Sequence, residues 1–310
     1  MITVLVLSVD EDDRLRTCLP AIVAEPEAEV IVVDDACTDS TVEVAEELGA
    51  KVLRIARRCS YAAALNVAIG ATGGELVLLL NADCVVEPGF LAPLSERLLA
   101  DPGLGSVAPK LLQPDGTLVD GAGITVDRRR KNGLVGHGAP AGGYNLAGPA
   151  FGGDGAAVLW RRAALEDVAV GSEVLDEDME LWATESDLAW RAQLRGWRCA
   201  YEPRSVARHP RTYSPSAVRR DLAPEHRRMQ FRNRLLMAYK NETGWGLARD
   251  WPWIAGYEVL ALGFAVLRDR ALLGGYRDFR RLRRAARARR RVVQARRTVR
   301  RPPFGLTPPR

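Results

Sequence analysis

Cysteine pairs, long apolar runs and a leader pattern are all missing from this 310-residue sequence. The five cysteines are scattered with no Cys-x-x-Cys pair, which argues against a disulfide framework or a zinc module and favours a reducing compartment. The longest apolar stretch beyond the N-terminal strand, residues 254–267, has 14 residues and contains Glu258, whereas a membrane-spanning helix needs about 20. Met1 leads directly into an apolar strand without the basic segment of a signal peptide. We therefore expect no spanning helix and a cytoplasmic location, in solution or at the inner face of the plasma membrane.

The composition is that of a globular protein with an uneven distribution of charge. Apolar residues make up 47% and charged residues 27%, and glycine and proline follow no period, which excludes collagen, coiled-coil and low-complexity classes. The formal net charge is +5, but residues 268–310 hold 16 arginines against two aspartates, a net charge of +14, so residues 1–267 carry −9. An acidic body with a basic arm differs from a uniformly basic nucleic-acid-binding protein, and nucleic acid is not expected as a partner.

Short β-rich runs alternate with helical patterns through the first third of the chain. Four apolar runs read as buried strands, at residues 2–8, 29–34, 52–55 and 75–80. This alternation predicts an α/β fold with a mixed, mostly parallel sheet flanked by helices. Residues 113–154 are rich in glycine, proline and charge without periodicity, which predicts a long functional loop. Residues 225–310 read as helical, with an interruption at Trp251-Pro252-Trp253.

Polar side chains follow two of these strands at the point where each strand ends. Asp34 and Asp35 come after the run EVIVV, and Asn81 and Asp83 follow the run ELVLLL. Taken singly, each cluster is explained by turn formation or helix capping. In a parallel sheet, however, ligands bind beyond the carboxyl ends of the strands, and the two clusters together form the pattern of a metal-dependent nucleotide-sugar site. Asp83 would hold Mn or Mg against the diphosphate with support from Asn81, while Asp34 or Asp35 would accept hydrogen bonds from the base or ribose.

Six stretches of the chain carry motifs in a fixed order. Four of them are VLVLS with Asp10, VVDDACTDST at 32–41, YAAALNVAIGATGGELVLLLNAD at 61–83 and VEPGFL at 86–91. Together they resemble the family 2 glycosyltransferases of the GT-A fold. The other two, FGGDGAAVLWRRAALEDV at 151–168 and DEDMELWATESDLAWRAQLRGWRCAYEPRSVARH at 176–209, are similar to the rhamnosyltransferase-like branch.

The resemblance implies a domain organisation. It covers residues 2–241, so we expect a GT-A glycosyltransferase domain at 1–241. That domain would comprise a nucleotide-sugar-binding half, 1–112, and an acceptor-side half, 113–241. A helical, arginine-rich extension would follow at 242–310.

The resemblance also implies the residues of the reaction. The family's Glu-Asp-x-Asp-Leu-x-x-Arg motif matches residues 184–191, so the catalytic base falls on Glu185, where the family has the shorter aspartate. Asp187 is assigned to catalysis with it, and Arg191, four residues further on, is its helix-face partner and is counted among the donor-binding residues. His209 would complete the metal shell. From the residues alone, Glu185 and Asp187 are also explained by a preference for a helix N-terminus, and His209 by a solvated loop.

Three further positions match donor-binding residues of the family: Ser8, Asp10 and Asn66. The family's Asn-x-Gly before the alanine-rich helix is Arg58-Cys59-Ser60 in this chain, which removes a conformation that glycine allows. Asp154, in a Gly-Gly-Asp-Gly sequence, either touches substrate or occupies a turn. The departures at 58–60 and 184–185 leave a non-catalytic, sugar-nucleotide-binding homologue as an alternative function.

The C-terminal arm combines apolar and aromatic residues with arginine. Tryptophan, tyrosine, leucine and phenylalanine recur through residues 250–273, and 13 arginines follow in 277–301. This combination suits the interface of an anionic membrane. The alternatives are a solvated helix, an arm that pairs with the acidic body, or a scaffold that binds membrane or RNA.

As a whole, the sequence predicts a metal-dependent, inverting glycosyltransferase of polysaccharide or cell-wall synthesis. It would move a sugar from a nucleoside-diphosphate donor to a hydroxyl group of a cell-surface glycan or lipid-linked acceptor, and the resemblance alone suggests dTDP-rhamnose as the donor. This interpretation requires Asp83, Glu185 and His209 to lie around one cavity.

Overall fold

The structure, a computed structural model, describes residues 1–211 and 222–310. Within them the strands are β1 (Ile2–Ser8), β2 (Ala28–Asp35), β3 (Lys51–Ile55), β4 (Leu76–Asn81), β5 (Val85–Val86), β6 (Leu104–Leu112), β7 (Val119–Gly121), β8 (Ile124–Val126), β9 (Asn132–Leu134), β10 (Gly148–Ala150), β11 (Ala157–Arg161) and β12 (Arg198–Arg208). The α-helices are α1 (Asp12–Val23), α2 (Thr41–Glu47), α3 (Tyr61–Ala71), α4 (Leu91–Ala100), α5 (Arg162–Val168), α6 (Thr184–Arg195), α7 (Pro224–Asn241), α8 (Gly244–Leu267) and α9 (Ala271–Arg296), with a 3₁₀ turn at Glu177–Met179.

Ten strands form one mixed sheet in the order β10-β12-β6-β11-β4-β1-β2-β3, with β5 paired to β12 and β7 to β6. Strands β1 to β4, β6 and β12 share one direction, and β11 lies between β4 and β6 in the opposite direction. The carboxyl ends of six strands therefore meet at one edge, and β11 begins at that same edge. The predicted α/β fold with a mostly parallel sheet is confirmed.

Apolar residues on both faces of the sheet explain why its central strands read as continuous apolar runs. Every residue of β1 is buried, and Leu15, Leu19 and Ile22 of α1 pack with its even-numbered residues on one face. Leu5 and Leu7 face the other side, against α3 and α5. A strand covered on both faces needs apolar side chains at successive positions, because no position faces water.

The C-terminal helices pack against the sheet domain and are not a detached arm. Residues of α6, α7 and α9 share one apolar cluster. Phe304, beyond α9, lies with its ring centroid 5.0 Å from that of Trp190 in α6, and the guanidinium carbon of Arg130 lies 3.9 Å from the same phenylalanine ring centroid. The chain end therefore completes the core around α6.

Two expectations about local structure need correction. The segment 113–154 is not one irregular loop, since it contains the short strands β7 to β10, three residues each. Their glycines and prolines masked any periodicity, and three residues are too few for a period to show. The predicted interruption at Trp251-Pro252-Trp253 is also absent, because α8 continues through Pro252. Only the bond from residue 252 to the carbonyl of residue 248 is lost there, and that side of the helix is open to solvent.

Candidate active site

The carboxyl edge of the sheet collects the polar residues that follow its strands. Ser8 is in register with Asp34, and Leu7 with Asn81, so the ends of β2, β1 and β4 lie side by side. His209 directly follows β12, and its backbone N–H donates to the carbonyl of Leu112 at 2.9 Å. Side chains separated by more than a hundred residues are thereby brought to one rim.

His209 is held between two carboxylates. Its Nδ1 lies 2.9 Å from Oδ2 of Asp120, and its Nε2 lies 3.3 Å from Oδ1 of Asp83. Burial by itself disfavours the charged imidazole, but the hydrogen bonds to Asp120 and Asp83 outweigh it and raise the pKa of His209 to about 9. Asp120 has no exposed surface. It therefore fixes the imidazole ring, and the other ring nitrogen faces Asp83.

Arg211 connects this pair to a third carboxylate. Its Nε and Nη2 donate to the two oxygens of Asp120, each at 2.9 Å, and Nη2 also donates to Oδ2 of Asp154 at 2.6 Å. Burial opposes the ionisation of Asp120, but the hydrogen bonds from His209 and Arg211 outweigh this effect and lower the pKa of Asp120 to about 2. Asp154 immediately precedes the turn into β11, so the reversed strand is what delivers it to this edge.

Glu185, in the first turn of α6, lies beside Asp154. A Cβ atom added to Gly155 would be 2.5 Å from Oε1 of Glu185, so the glutamate packs directly on the backbone of the residue after Asp154. The phenol of Tyr61 lies close enough to Glu185 for each group to influence the pKa of the other. Burial, with the charge of Asp154 adding to it, raises the pKa of Glu185, which makes its carboxylate a better proton acceptor.

The three residues on which the sequence interpretation depends thus belong to one connected cluster. Asp83 contacts His209, and His209 is joined through Asp120 and Arg211 to Asp154. Gly155, the residue after Asp154, in turn packs against Glu185. A chain of carboxylates and cations therefore links the predicted metal ligands to the predicted base.

The predicted donor-binding carboxylates shape the loops after β1 and β2. Oδ1 of Asp34 accepts the backbone N–H of Cys37 at 2.7 Å, and Oδ1 of Asp35 accepts that of Cys59 at 3.0 Å. Arg58 donates to Asp10 at 2.7 Å from an exposed position. Asp10 has a φ of 56°, a left-handed conformation that aspartate tolerates better than most residues. These bonds fix the rim on the side where the strand order predicts the nucleotide.

Ser8 and Asn66 are buried and engaged in hydrogen bonds within the protein. The Ser8 side chain is fully buried, with its hydroxyl 3.0 Å from that of Thr41. The Asn66 amide donates to the carbonyl of Leu175 and accepts the backbone N–H groups of Val174 and Leu175 at 2.8–3.0 Å. In this structure both side chains support the surrounding loops, and the donor-binding role predicted for each stays a prediction.

Asp187 and Arg191 form a buried ion pair on another side of α6. Nε of Arg191 donates to Asp187 at 2.9 Å, Nζ of Lys240 lies 2.9 Å from Asp187, and the amide of Asn241 donates to it at 2.8 Å. Asp187 has no exposed surface, and Arg191 also donates to two backbone carbonyls. These contacts position the first turn of α6, and the catalytic role predicted for Asp187 and the donor-binding role predicted for Arg191 stay predictions. The i,i+4 pairing itself is as expected.

A second acidic group lies at the same edge. Ligand atoms of Asp10, Cys37 and Asp39 all lie within 4.8 Å of one another. Their oxygens are already engaged, because Asp10 accepts the backbone N–H of Thr38 at 2.7 Å and Asp39 accepts that of Asp12 at 3.0 Å. We attribute this group to loop structure.

The pair Asp83 and His209 suits a divalent cation better. Nδ1 of His209 is bonded to a carboxylate, an arrangement typical of metal-binding histidines, and this leaves Nε2 directed at Asp83. One carboxylate oxygen and one imidazole nitrogen form a donor set that Mn²⁺ accepts readily, and Asn81 lies two residues from Asp83.

Asp120 and Arg211 are site residues that sequence reasoning missed, and Tyr61 is a third. Asp120 lies in the segment that read as a structureless loop, and Arg211 follows His209 as one of many arginines, so neither carried a signal. The one available indication was Asp154 between glycines in a motif region, and its two possible roles were left open. Asp154 does contact site residues, through Arg211 and beside Glu185.

Comparison with known proteins defines the class first. The fold is that of the GT-A glycosyltransferases: the S. aureus protein TarS, residues 1–349 in complex with UDP-GlcNAc, superposes with a TM-score of 0.57 at 17% identity over 95% of this chain and 90% of that one. The mannosyltransferase PcManGT from Pyrobaculum calidifontis, solved with GDP-Man and Mn²⁺, gives a TM-score of 0.54 at 18% identity over 95% of this chain and 79% of that one. At these identities the likeness is one of fold.

The sequence comparison then supplies the family. Residues 3–134 match Glycosyl transferase family 2, which confirms the recognition of a family 2 glycosyltransferase. The poly-beta-1,6-N-acetyl-D-glucosamine synthase of Staphylococcus epidermidis is 24% identical over 219 residues, 66% of this chain and 48% of that protein. The chain thus spans about half the length of that curated relative. The rhamnosyltransferase-like branch stays a prediction.

Proposed function

We propose that this protein is an inverting glycosyltransferase that moves a sugar from a nucleoside-diphosphate donor to an acceptor hydroxyl group. The observation that carries the proposal is the connected cluster from Asp83 and His209 through Asp154 to Glu185. A site of this kind needs a group for the diphosphate at the strand ends and a base on the acceptor side. The cluster provides candidates for both within one rim.

In this reaction Glu185 acts on the acceptor. Its carboxylate takes the proton of the acceptor hydroxyl as the acceptor oxygen bonds to the anomeric carbon. The bond from that carbon to the diphosphate oxygen breaks on the opposite face, and its electron pair leaves with the diphosphate. Gly155 orients the base through the close approach that its missing side chain allows, and the phenol of Tyr61 lies beside it.

Asp83 and His209 would bind the divalent cation, Mn or Mg, with Asn81 beside them. When bound, the cation would neutralise the negative charge that develops on the departing diphosphate. Asp120 holds the imidazole in the orientation that leaves Nε2 available. Asp34 and Asp35, with the Asp10–Arg58 pair, line the side on which we place the base and ribose.

For the donor sugar and the acceptor we propose chemical classes and not individual compounds. The structural relatives were solved with UDP-GlcNAc and GDP-Man, so a nucleoside-diphosphate sugar is well supported as the donor class. The expectation of dTDP-rhamnose rests on resemblance alone. For the acceptor we propose a cell-surface glycan or a lipid-linked saccharide, in line with the relation to a polysaccharide synthase.

A donor panel with matched variants tests the proposal. The full chain is assayed for diphosphate release from UDP-, GDP- and dTDP-sugars with Mn²⁺, Mg²⁺ or a chelator, using a saccharide library as acceptor. We expect metal-dependent turnover that Glu185→Gln lowers by at least about a hundredfold while nucleotide binding persists. Glu47→Gln, which changes a carboxylate that is 67% exposed, serves as the control and should leave turnover unchanged. Turnover that Glu185→Gln leaves intact would remove Glu185 from the mechanism.

The alternative of a non-catalytic homologue makes a different prediction for the same experiment. Calorimetry would then detect nucleotide and metal binding while no donor is consumed with any acceptor. The enzyme proposal has the advantage that Glu185, despite its departure from the family motif, packs against Gly155 and lies beside Tyr61.

A further inference from the structure

Helix α8 is attached to the domain along one stripe only. Asp250 accepts hydrogen bonds from Arg128, Arg130 and Arg301, and Glu258 accepts two from Arg234 at 2.7 and 3.0 Å. These two carboxylates, with Gly246 and Ala265, face the domain. Both acidic residues of the helix are thus paired with arginines on the attached side.

The remainder of the α8 surface is apolar and open. Ten large apolar side chains between residues 245 and 267 are 44% to 81% exposed, and three of them are tryptophans, Trp245, Trp251 and Trp253, of which Trp253 borders the attached stripe beside Arg128. The charge on this side is that of Arg249. Soluble monomers seldom leave so many large apolar side chains contiguous and uncovered, and such patches mark interaction surfaces.

Unpaired arginines lie near both ends of α8 and in the first turns of the helix that follows it. Arg249 lies near the start of α8, Arg268 and Arg270 follow its end, and Arg277 and Arg280 lie in the first turns of α9. All five are exposed, and among the described residues none has an ion-pair partner. Some arginines further along do form ion pairs: Arg289 with Glu173 and Asp176 of the domain, and Arg301 with Asp250 of α8. The basic arm thus uses some of its arginines to hold the structure together and leaves others, including those next to α8, with unpaired charge.

We propose that α8 is a membrane-docking helix that lies in the interface of an anionic bilayer. Its exposed leucine, valine and phenylalanine side chains would enter the acyl region, its tryptophans would lie at the headgroup level, and the bordering arginines would contact lipid phosphates. One-sided attachment of the helix sets this orientation, because the stripe with Asp250 and Glu258 stays on the protein. A second copy of the chain is a poorer occupant, since the two sets of unpaired arginines would face each other.

The docking face is connected to the acceptor side of the candidate site. Arg128, Arg129 and Arg130, which contact α8 through Asp250 and the rings of Trp253 and Tyr257, lie in the β8–β9 turn. In the same hairpin, Asn132 donates to the hydroxyl of Ser186 at 3.2 Å, one residue from Glu185. Docking through α8 would therefore place the acceptor side near the membrane, which suits a lipid-linked acceptor. The inference stands on α8 and its arginines and does not depend on the proposed function.

Vesicle flotation of the full chain tests the proposal. We expect flotation with vesicles of phosphatidylcholine and phosphatidylglycerol and much less with phosphatidylcholine alone. Leu260→Glu, at a residue that is 74% exposed, should weaken partition into anionic vesicles by more than about tenfold, because it puts a charge where a leucine side chain would enter the acyl region. The control Leu99→Glu, at a residue of α4 that is 58% exposed, should have no effect. Arg280→Glu should weaken flotation, whereas Arg97→Glu in α4 should not.

Several outcomes would overturn the inference. Flotation that ignores anionic lipid, or that Leu260→Glu and Leu99→Glu change equally, contradicts it. If Leu260→Glu instead dissociates a dimer in sedimentation experiments and leaves flotation unchanged, the face is an interface between copies. Binding of single-stranded RNA that Arg280→Glu abolishes, without any vesicle binding, would assign the arginines to nucleic acid. Flotation needs no turnover, so a failure here is separate from a failure of the proposed glycosyl transfer.

Discussion

The substitution Gly155→Ala should displace Glu185, the proposed base, while leaving its carboxylate group unchanged. The added Cβ would lie 2.5 Å from Oε1, 2.7 Å from Cδ and 2.8 Å from Cγ of Glu185, where ordinary contact begins at 3.4 Å. The carboxylate must therefore retreat by about 0.9 Å. A misplacement of about 1 Å in a catalytic group costs on the order of a hundredfold in rate. We expect kcat to fall by about that factor.

The assay separates positioning from binding. Initial rates give kcat and KM with the best donor, and calorimetry gives the affinity for the nucleoside diphosphate and Mn²⁺, which we expect to be unchanged because Asp83 and His209 do not move. Gly70→Ala is the control, since an added Cβ in α3 meets nothing within 4 Å. If Gly155→Ala keeps kcat within about twofold of the parent, Glu185 is not required at its position and the argument from geometry is refuted.

Four further outcomes are expected. Asp120→Asn should weaken Mn²⁺ binding about 10–100-fold by calorimetry, because the imidazole loses its orienting carboxylate. Burial raises the pKa of Glu185 above the ordinary glutamate value of 4.5, and a general base acts only when it is deprotonated. The acid limb of the pH profile, where kcat/KM rises with pH, should therefore have its midpoint above pH 4.5. Lys240→Met should lower the free energy of unfolding by roughly 3–5 kcal/mol in urea denaturation, as it leaves Asp187 buried beside fewer cations. Phe304→Ala should cost about 2 kcal/mol in the same measurement, through lost ring contacts with the α6 cluster.

Each of these has a result that counts against it. Unchanged Mn²⁺ affinity in Asp120→Asn would separate Asp120 from the metal site. Asp154→Asn should move the acid limb of the pH profile to lower pH, because it removes a charge that raises the pKa of Glu185, and an unmoved limb would mean that another group is being titrated. Arg291→Met, at an exposed residue of α9, controls for Lys240→Met, and equal losses would show that the buried ion cluster contributes nothing special.

The Phe304 contacts also change how the C-terminal arm is to be examined. Removing residues 274–310 would delete most of α9 and the ring that packs on Trp190, so we expect such a truncation to destabilise α6 and with it Glu185. Point substitutions on the open side of α8 avoid this effect.

The sequence pattern by itself was enough to locate the carboxylates that follow β2 and β4 and the start of α6. The runs EVIVV and ELVLLL are apolar because β2 and β4 are covered on both faces, and the polar residues that end them mark the carboxyl edge of a parallel sheet. Asp34, Asp35, Asn81 and Asp83 could thus be located before any coordinates. The start of α6 was equally visible from its helical pattern and the carboxylates in its first turn.

Tertiary structure decided which side chains meet there. The insertion of β11 against the direction of its neighbours brings Asp154 to the edge, and the pairing of the three-residue strand β7 with β6 brings Asp120 under His209. Neither event leaves a trace in periodicity, because strand direction and partner are properties of distant segments. Asp187 and Glu185 are only two residues apart in the motif, but a helix directs residues at this spacing to different sides. Asp187 therefore points into the buried ion cluster with Lys240, whereas Glu185 lies near Asp154.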